Sequence, residues 1–293
     1  MKKTQIPSFI VPPNSTVSLT KDYQTDFTPS GLKKREGRAL LAQIVEKLSD
    51  LQGRLYAQDT YGVLILFQAL DAAGKDSTIK HVMSGINPQG FQVFSFKQPS
   101  AEELDHDYLW RYFKALPERG RIGIFNRSYY EDVLVTRVHP ELIDKQKLPP
   151  LAKGDGIWER RFRQINNFEQ YLVENGIVVI KFFLYVSKEE QKRRFFRRIE
   201  RKDKNWKFSE NDVKERAYWD SYIYAYEEVF NYTSTEFAPW HIIPADHKWF
   251  SRLTVGQIIY NYLDRLGLHY PVVTEEHKKH IAHAQKMLEQ EQD

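Results

Sequence analysis

The sequence predicts an α/β fold in three layers, a mostly parallel central sheet flanked by helices, and three observations carry the prediction. Val63 to Phe67 are five apolar residues in succession, and Ile177 to Tyr185 is the most apolar segment of the chain. A strand loses polar alternation when both of its faces are covered, as in a parallel sheet. Such runs alternate with segments of helical period, the pattern of an α/β domain. The loops richest in charged and small residues then fall at strand carboxyl ends, where open sheets of this class bind ligands.

At 293 residues the chain holds, on the usual size prior, one large domain or two small ones. One body over residues 31–270 is expected, preceded by an extended arm over 1–30 and followed by a tail helix over 271–293. A net charge of +4 makes the whole no polycation, so a polyanion site has to arise from local clustering of bases. No cysteine is present, which excludes disulfides, thiolate zinc sites and a cysteine nucleophile and agrees with a reducing compartment. The first residues lack an apolar signal core, and no window reaches the length of a membrane span. A cytoplasmic protein without membrane or nucleic-acid partners is therefore expected.

Pro7, Pro12, Pro13 and Pro29 among Ser, Thr and Asp residues make the arm extended. Apolar positions Leu40, Leu41, Ile44, Leu48, Leu51 and Leu55 recur at helical spacing, which predicts a packing helix over Leu32–Tyr56. Its basic head, Lys33, Lys34, Arg35 and Arg38, is a solvated face, with a reach toward a polyanion as the alternative.

Val63–Phe67 then runs into Gln68-Ala69-Leu70-Asp71-Ala72-Ala73-Gly74-Lys75-Asp76-Ser77-Thr78. Small residues keep this turn narrow, so that backbone N–H groups can face anionic oxygens while the next helix adds its positive end. Lys75 supplies a mobile charge, and Ser77 and Thr78 supply hydroxyls for a phosphate or its metal ion. The fit to G-x-x-x-x-G-K-[ST] is imperfect, because Ala69 and Asp76 replace its first Gly and its hydroxyl residue. An ordinary strand, turn and helix with a solvated lysine is the competing reading. Asp71 argues against it: a carboxylate inside an anion-binding loop is repelled unless a divalent cation intervenes or a proton is moved, both of them tasks of phosphoryl transfer.

Beyond the cradle its helix is expected to run to Gly85, closed by the turn Asn87–Gly90, and Phe91–Phe96 is a second strand. Ser100 and Glu103 form a capping box for one helix through Lys114. Arg121–Phe125, a third strand, delivers Asn126 to the place where a phosphate-binding fold presents a polar residue to the metal. Arg127 is placed for the transferring group. Glu131 and Asp132 face a basic or metal-bearing site, or else compensate a helix dipole. Residues 141–156 read as turns and Ile157–Glu174 as a helix.

After the strand Ile177–Tyr185, Ser187 with Glu190 caps an arginine-rich helix. Arg194 and Arg198 share one face, and Arg197 and Arg201 another with Arg193. A surface helix of paired charges is the plain reading, but acids are too few for these bases, and a bound polyanion would relieve their repulsion. A helical lid over about 188–215 that closes arginines over phosphates is favoured. Ser209–Tyr232 predicts a helix, Trp240–Pro244 a last strand with His241 in the core, and Leu253–Leu266 a closing helix. From Glu275 an exposed helix with some core contacts follows.

With these residues in place the chain resembles a known family, the type 2 polyphosphate kinases. Gln68–Asp76 is similar to the family's Walker A segment, Phe125–Asp132 to its Walker B segment, and Asn205-Trp206-Lys207-Phe208-Ser209 to the end of its lid. The resemblance implies a P-loop kinase-like fold and transfer of a phosphoryl group between inorganic polyphosphate and adenine nucleotides, with guanine as an alternative, using magnesium or manganese. Carried onto matching positions, it makes Asp71 a catalytic and metal-organising acid with Asn126 beside it. It makes Lys75, Arg127, Arg194 and Arg198 catalytic phosphate ligands. Phosphates would lie against Ala72, Ala73, Gly74, Lys75, Asp76, Ser77, Arg127 and Arg137, and the nucleotide against Asp71, Asn126, Arg127 and Glu131. Asn126, where many members carry Asp, together with Gly85–Gly90 and Glu131, resembles the subgroup that accepts AMP as well as ADP. A homo-oligomer, dimer or tetramer, is expected. Two other readings stay open, an NTP-dependent nucleotide kinase of similar fold and a non-catalytic polyanion or nucleic-acid binder.

Overall fold

The computed structural model describes residues 6–291; residues 1–5 of the expected arm and 292–293 of the expected tail lie outside them. Strand β1 (Gly62–Gln68) is buried along its whole length. It pairs in parallel with β3 (Ile122–Asn126) on one side and β4 (Ile177–Tyr185) on the other. β2 (Phe91–Ser95) adds beyond β3 and β5 (Trp240–Pro244) beyond β4, giving the order β2-β3-β1-β4-β5. Parallel neighbours need crossover connections, usually helical, and here the crossovers cover both faces.

Alternate residues of β1 feed two separate cores. Leu64 and Leu66 pack with the helices Ile157–Glu174 and Trp219–Thr233. Val63, Ile65 and Phe67 pack with the helices Lys34–Gln58, Lys75–Val82 and Lys248–Asp264. With no solvent face, the strand has no reason to alternate, which is why the expected three-layer arrangement shows so plainly in its sequence.

Elsewhere the elements depart from expectation for identifiable reasons. The helix expected from Ser100 to Lys114 is two single turns, Ala101–Leu104 and Trp110–Phe113. The capping box forms, but Asp107 Oδ1 takes the N–H of Leu109 at 2.9 Å, a local side-chain bond that competes with the helix ladder. The helix expected over Ser209–Tyr232 breaks into Glu210–Lys214, a 3-10 turn at Glu215–Tyr218 and Trp219–Thr233. The stretch 141–156 contains two single-turn helices, Glu141–Asp144 and Pro150–Lys153. The closing helix starts earlier than expected, at Lys248.

The arm extends the sheet at its edge. Val11 N donates to Trp240 O at 2.8 Å and Ile242 N to Phe9 O at 2.9 Å, so the arm lies antiparallel against β5 and covers an otherwise unpaired row of backbone groups. Val11 and Leu19 are fully buried, and His241 sits in the core with Nδ1 2.7 Å from Ser8 O. The tail helix Glu275–Glu289, by contrast, has no buried residue, so the core contacts expected for it are absent. Ile281 and Leu288 on its apolar side are both exposed. Truncation after Thr274 is therefore expected to change the unfolding free energy of the chain by less than about 0.5 kcal/mol in urea titration, and a larger loss would show that the helix packs on the body.

Candidate active site

Because Phe67 of β1 lies opposite Asn126 of β3, the loops leaving the carboxyl ends of these strands run side by side. The first loop turns at Ala72 and Gly74, with φ of +59° and +115°. The second of these values is a conformation that only glycine adopts without strain. Space is not the constraint, since a Cβ on Gly74 would meet Ser77 Oγ at 3.4 Å and Arg194 Nη1 at 3.8 Å, ordinary contacts. Gly74 precedes the helix Lys75–Val82, whose first N–H groups and positive end face the loop. Lys75 is 9% exposed and folds back so that Nζ donates to Ala69 O at 2.9 Å. Burial lowers its pKa first, the charge of Arg127 adds to that, and Asp71, Glu131 and Asp76 pull the other way. One ammonium thus feels charges from both loops, as a shared crevice requires.

The second loop holds Arg127 in the left-handed region, at φ +66°. Its N–H donates back to Phe67 O at 3.0 Å. Its Nη2 donates to Asp71 Oδ1 at 3.0 Å, and Nη1 stands 3.8 Å from Glu131 Oε2. The charge of Glu131 raises the guanidinium's pKa, burial opposes it, and Asp71 adds to the rise. Asn126 Nδ2 donates to Asp76 Oδ1 at 2.8 Å, so the amide nitrogen ties the two loops and the oxygen is the end left for a metal or water. Asp71, Lys75, Asp76, Asn126, Arg127 and Glu131 therefore meet in one place.

The arginines expected around this crevice take different positions. Arg194, expected as a phosphate ligand, is 5% exposed and lies beneath the loop. It donates to the carbonyls of Ala72 at 3.1 Å, Ala73, Ala245, and Asp246 at 3.1 Å, and through Nε to Glu190 Oε1 at 2.8 Å. A guanidinium has five N–H groups, and all five are engaged, so Arg194 holds the loop's backbone from behind. Arg198 reaches Asp212 Oδ2 at 3.2 Å. Arg137 pairs with Glu228 at 3.2 Å and lies over Tyr224 and Trp158.

Several participants were not singled out from the sequence. Glu190, read as a helix cap, holds Arg193, Arg194 and Arg197 together, at 2.9, 2.8 and 2.8 Å. Burial pushes its pKa up, yet the bond from Arg194 and the three charges outweigh burial and leave it lowered. Its spacing of three, four and seven residues from those arginines was the available signal. Gln191 Nε2 donates to Asp71 O at 2.9 Å. Asp212 has a raised pKa, from burial first and then from the charge of Asp71, with Arg198 and Arg127 opposing. A fourth acid, after Asp71, Asp76 and Glu131, therefore faces the crevice. Lys248, at the start of the closing helix, has Cε 4.0 Å from the Cβ position of Gly74. Desolvation of its ammonium, then the charges of Arg194, Arg197, Arg252 and Lys204, push its pKa down to about 8. Arg252 in turn feels Arg38 and Arg194, so bases continue from the crevice to the head of the first helix.

Beside the crevice lies a cavity of about 760 Å³ lined by Tyr108, Arg111, Asp132, Gln146 and Arg161 among others. None of Asp71, Lys75 or Arg127 lines it, but Asp132 follows Glu131 directly. Burial raises the Asp132 pKa to about 6 against the pull of Arg161 and Gln146. Among the described residues no group of three or more His, Cys, Asp or Glu side chains is arranged to hold a metal ion.

Comparison with known proteins places these features in a family. The sequence model of the family described as Polyphosphate kinase 2 (PPK2) matches residues 31–268. An ADP-polyphosphate phosphotransferase of Rhodopseudomonas palustris is 48% identical over 98% of this chain and 99% of its own. An AMP/ADP-polyphosphate phosphotransferase of Meiothermus ruber is 42% identical over 81% of this chain and 85% of its own. The crystal structure of a polyphosphate kinase 2 from Arthrobacter aurescens superposes with a TM-score of 0.84 at 37% identity, covering 94% of this chain and 98% of that one.

The place of Arg194 can be tested on stability alone. Arg194→Lys keeps the charge but offers three donors to five acceptors, and is expected to cost about 1–3 kcal/mol in urea unfolding. Unchanged stability would mean that the guanidinium does not clamp the loop.

Proposed function

Because the chain belongs to the polyphosphate kinase 2 family, we propose that it transfers a phosphoryl group between inorganic polyphosphate and adenine nucleotides, raising AMP and ADP to ADP and ATP. The observation that carries this reading is the Arg127–Asp71 contact at the mouth of the Lys75 loop, a cation and an acid poised together where anions are drawn in. The M. ruber relative is named for both AMP and ADP, which supports the two-acceptor reading. A GDP-polyphosphate phosphotransferase of Pseudomonas aeruginosa, 36% identical over 69% of this chain and 54% of its own length, keeps guanine in the test.

In this reading a terminal oxygen of the nucleotide's phosphate attacks the end phosphorus of polyphosphate. The bond to the next phosphate breaks, and its electron pair leaves on a polyphosphate one unit shorter. Arg127 positions the nucleotide's phosphate, and Lys75 with the loop N–H groups neutralises charge on the moving group. Asp71 and Asn126 supply the oxygens that would hold magnesium, or manganese in its place. A site with one or two protein oxygens plus substrate phosphates is the usual way magnesium is bound. Magnesium bound there adds electrostatic neutralisation of the phosphoryl oxygens. Arg198 closes over the phosphates from the lid, released from Asp212. The bases Lys248, Arg252 and Arg38 give polyphosphate a path away from the crevice, and the cavity beside Glu131 takes the nucleoside. A cytoplasmic homo-oligomer, dimer or tetramer, completes the proposal; the missing cysteines suit a reducing compartment.

The direct test supplies AMP, ADP or GDP to purified protein with magnesium and either long polyphosphate or ATP as the sole donor, and resolves the nucleotides formed. Product from polyphosphate supports the proposal, and product from ATP alone favours an NTP-dependent kinase. Absence of transfer from both favours a binder. Asp71→Asn and Lys75→Ala are each expected to lower turnover about 10²–10³-fold, and near-normal rates would remove them from the mechanism. For Lys248, a pKa of about 8 means that the charge is present below that pH and is lost as pH rises through it. The KM for polyphosphate is therefore expected to rise above about pH 8 in the native protein, with that rise absent in Lys248→Met.

A further inference from the structure

A charged pair lies at the centre of the protein, outside the crevice. Lys181 and Glu169 are both fully buried. Lys181 sits on β4, paired in register with Leu66 of β1 and Trp240 of β5, and Glu169 on the helix Ile157–Glu174. Lys181 Nζ donates to Glu169 Oε2 at 2.6 Å, to Tyr130 OH at 3.0 Å and to Thr233 O at 2.7 Å, which engages all three of its N–H groups. Glu169 Oε1 accepts from Tyr129 OH and from Tyr130 OH, each at 2.8 Å. The aromatic rings of Tyr129 and Tyr130, tilted against each other, and of Trp240, edge-on to Tyr130, surround the group.

Burying a pair of ions is weak evidence of stabilisation, because apolar residues of like volume commonly do as well. What distinguishes this pair is the chain segment it holds. Tyr129 and Tyr130 stand between Arg127 and Glu131, the two residues of the second loop that carry its opposed charges. The intervening Ser128 is also fully buried and accepts from Gln68 Nε2 at 3.1 Å. Three successive residues are therefore fixed in the interior while their neighbours on both sides project into the crevice. The fixing has a load to bear, since Arg127 occupies a left-handed backbone conformation that a non-glycine residue adopts only under constraint from its surroundings.

We infer that the buried Lys181–Glu169 pair, acting through Tyr129 and Tyr130, is a positioning device that sets the direction of Arg127. Two apolar residues would fill the same volume but would leave the Tyr129 hydroxyl without its partner and the Tyr130 hydroxyl with only Thr233 and Trp240, so the loop could rotate about Ser128. The polar pair specifies one arrangement of the two rings. The inference rests on the role proposed above for Arg127, and it assigns no direct contact with substrate to any of the four residues.

The test uses Tyr129→Phe with Tyr130→Phe, which keeps both rings, and separately Glu169→Leu with Lys181→Met, which replaces the pair by apolar groups. For each double variant, urea unfolding, kcat and the KM for nucleotide and for polyphosphate are measured at a temperature where the protein is folded. Both are expected to lose roughly tenfold or more in kcat, the scale of a small misplacement of a reacting group, with both KM values within about twofold of the native ones. Restoring Tyr130 alone is expected to recover part of the loss. A folded variant with native kcat overturns the inference, as does activity that falls only in proportion to the folded fraction. A native protein that transfers no phosphoryl group from polyphosphate would instead overturn the functional reading.

Discussion

The contact between Arg127 and Asp71 joins two loops that have no covalent reason to stay together. Each loop alone carries a cation beside acids, Lys75 with Asp71 and Asp76 on the first and Arg127 with Glu131 on the second. Lys75 is desolvated and feels the Arg127 charge against it, whereas Asp71, Asp76 and Glu131 are acids where anions are to bind. Interleaving the two sets offsets both problems. The crevice can then be partly dry, which strengthens every interaction inside it, with Arg127 held between acids of both loops. An entering phosphate or metal ion exchanges partners with these groups, and the protein need not build the field at the moment of reaction.

The arginine-rich helix divides into two functions along its length. Its buried side, with Glu190, Gln191 and Arg194, is fastened to the loop: Gln191 to the carbonyl of Asp71 and Arg194 to those of Ala72 and Ala73. Beyond it Arg197 is largely exposed, and Arg198 meets Asp212 across the turn that follows Glu200. A lid hinged anywhere before Arg194 would tear the loop's own supports. Beyond those supports, near Arg198, the ion pair to Asp212 joins partly exposed groups and is of the weak, exchangeable kind.

How much of this was legible in the sequence follows from what each residue interacts with. Strands buried on both faces carry an uninterrupted apolar run, so β1, β4 and the layering could be read directly. Lys75 and Asp71 stood out because a short-range pattern surrounds them. Arg127 stood out by its place after a strand. Arg194 was harder, since the same i, i+4 spacing suits an arginine that grips a ligand and one that clamps five main-chain and side-chain acceptors. Only the positions of Ala245 and Asp246, fifty residues on, separate the two. Lys248 and Asp212 were overlooked for a similar reason, being brought to the crevice by tertiary packing. The breaks within 100–114 and 209–232 reflect side-chain and aromatic contacts that override helix propensity.

A near-neutral chain that handles a long polyanion has to solve a problem of distribution. With a formal charge of only +4, most bases are matched by acids, so attraction depends on where the matching fails. One line where it fails runs through Lys248, Arg252 and Arg38, where burial lowers the pKa of the first two and the charges of neighbouring bases add to it. Negative charge brought to that line would relieve the repulsion among its bases. Around Arg127 the opposite holds, because acids from two loops and the lid already satisfy the guanidinium. The two regions therefore differ in field, bases without paired acids in one and paired charges in the other, and their meeting point is the loop held in place by Arg194.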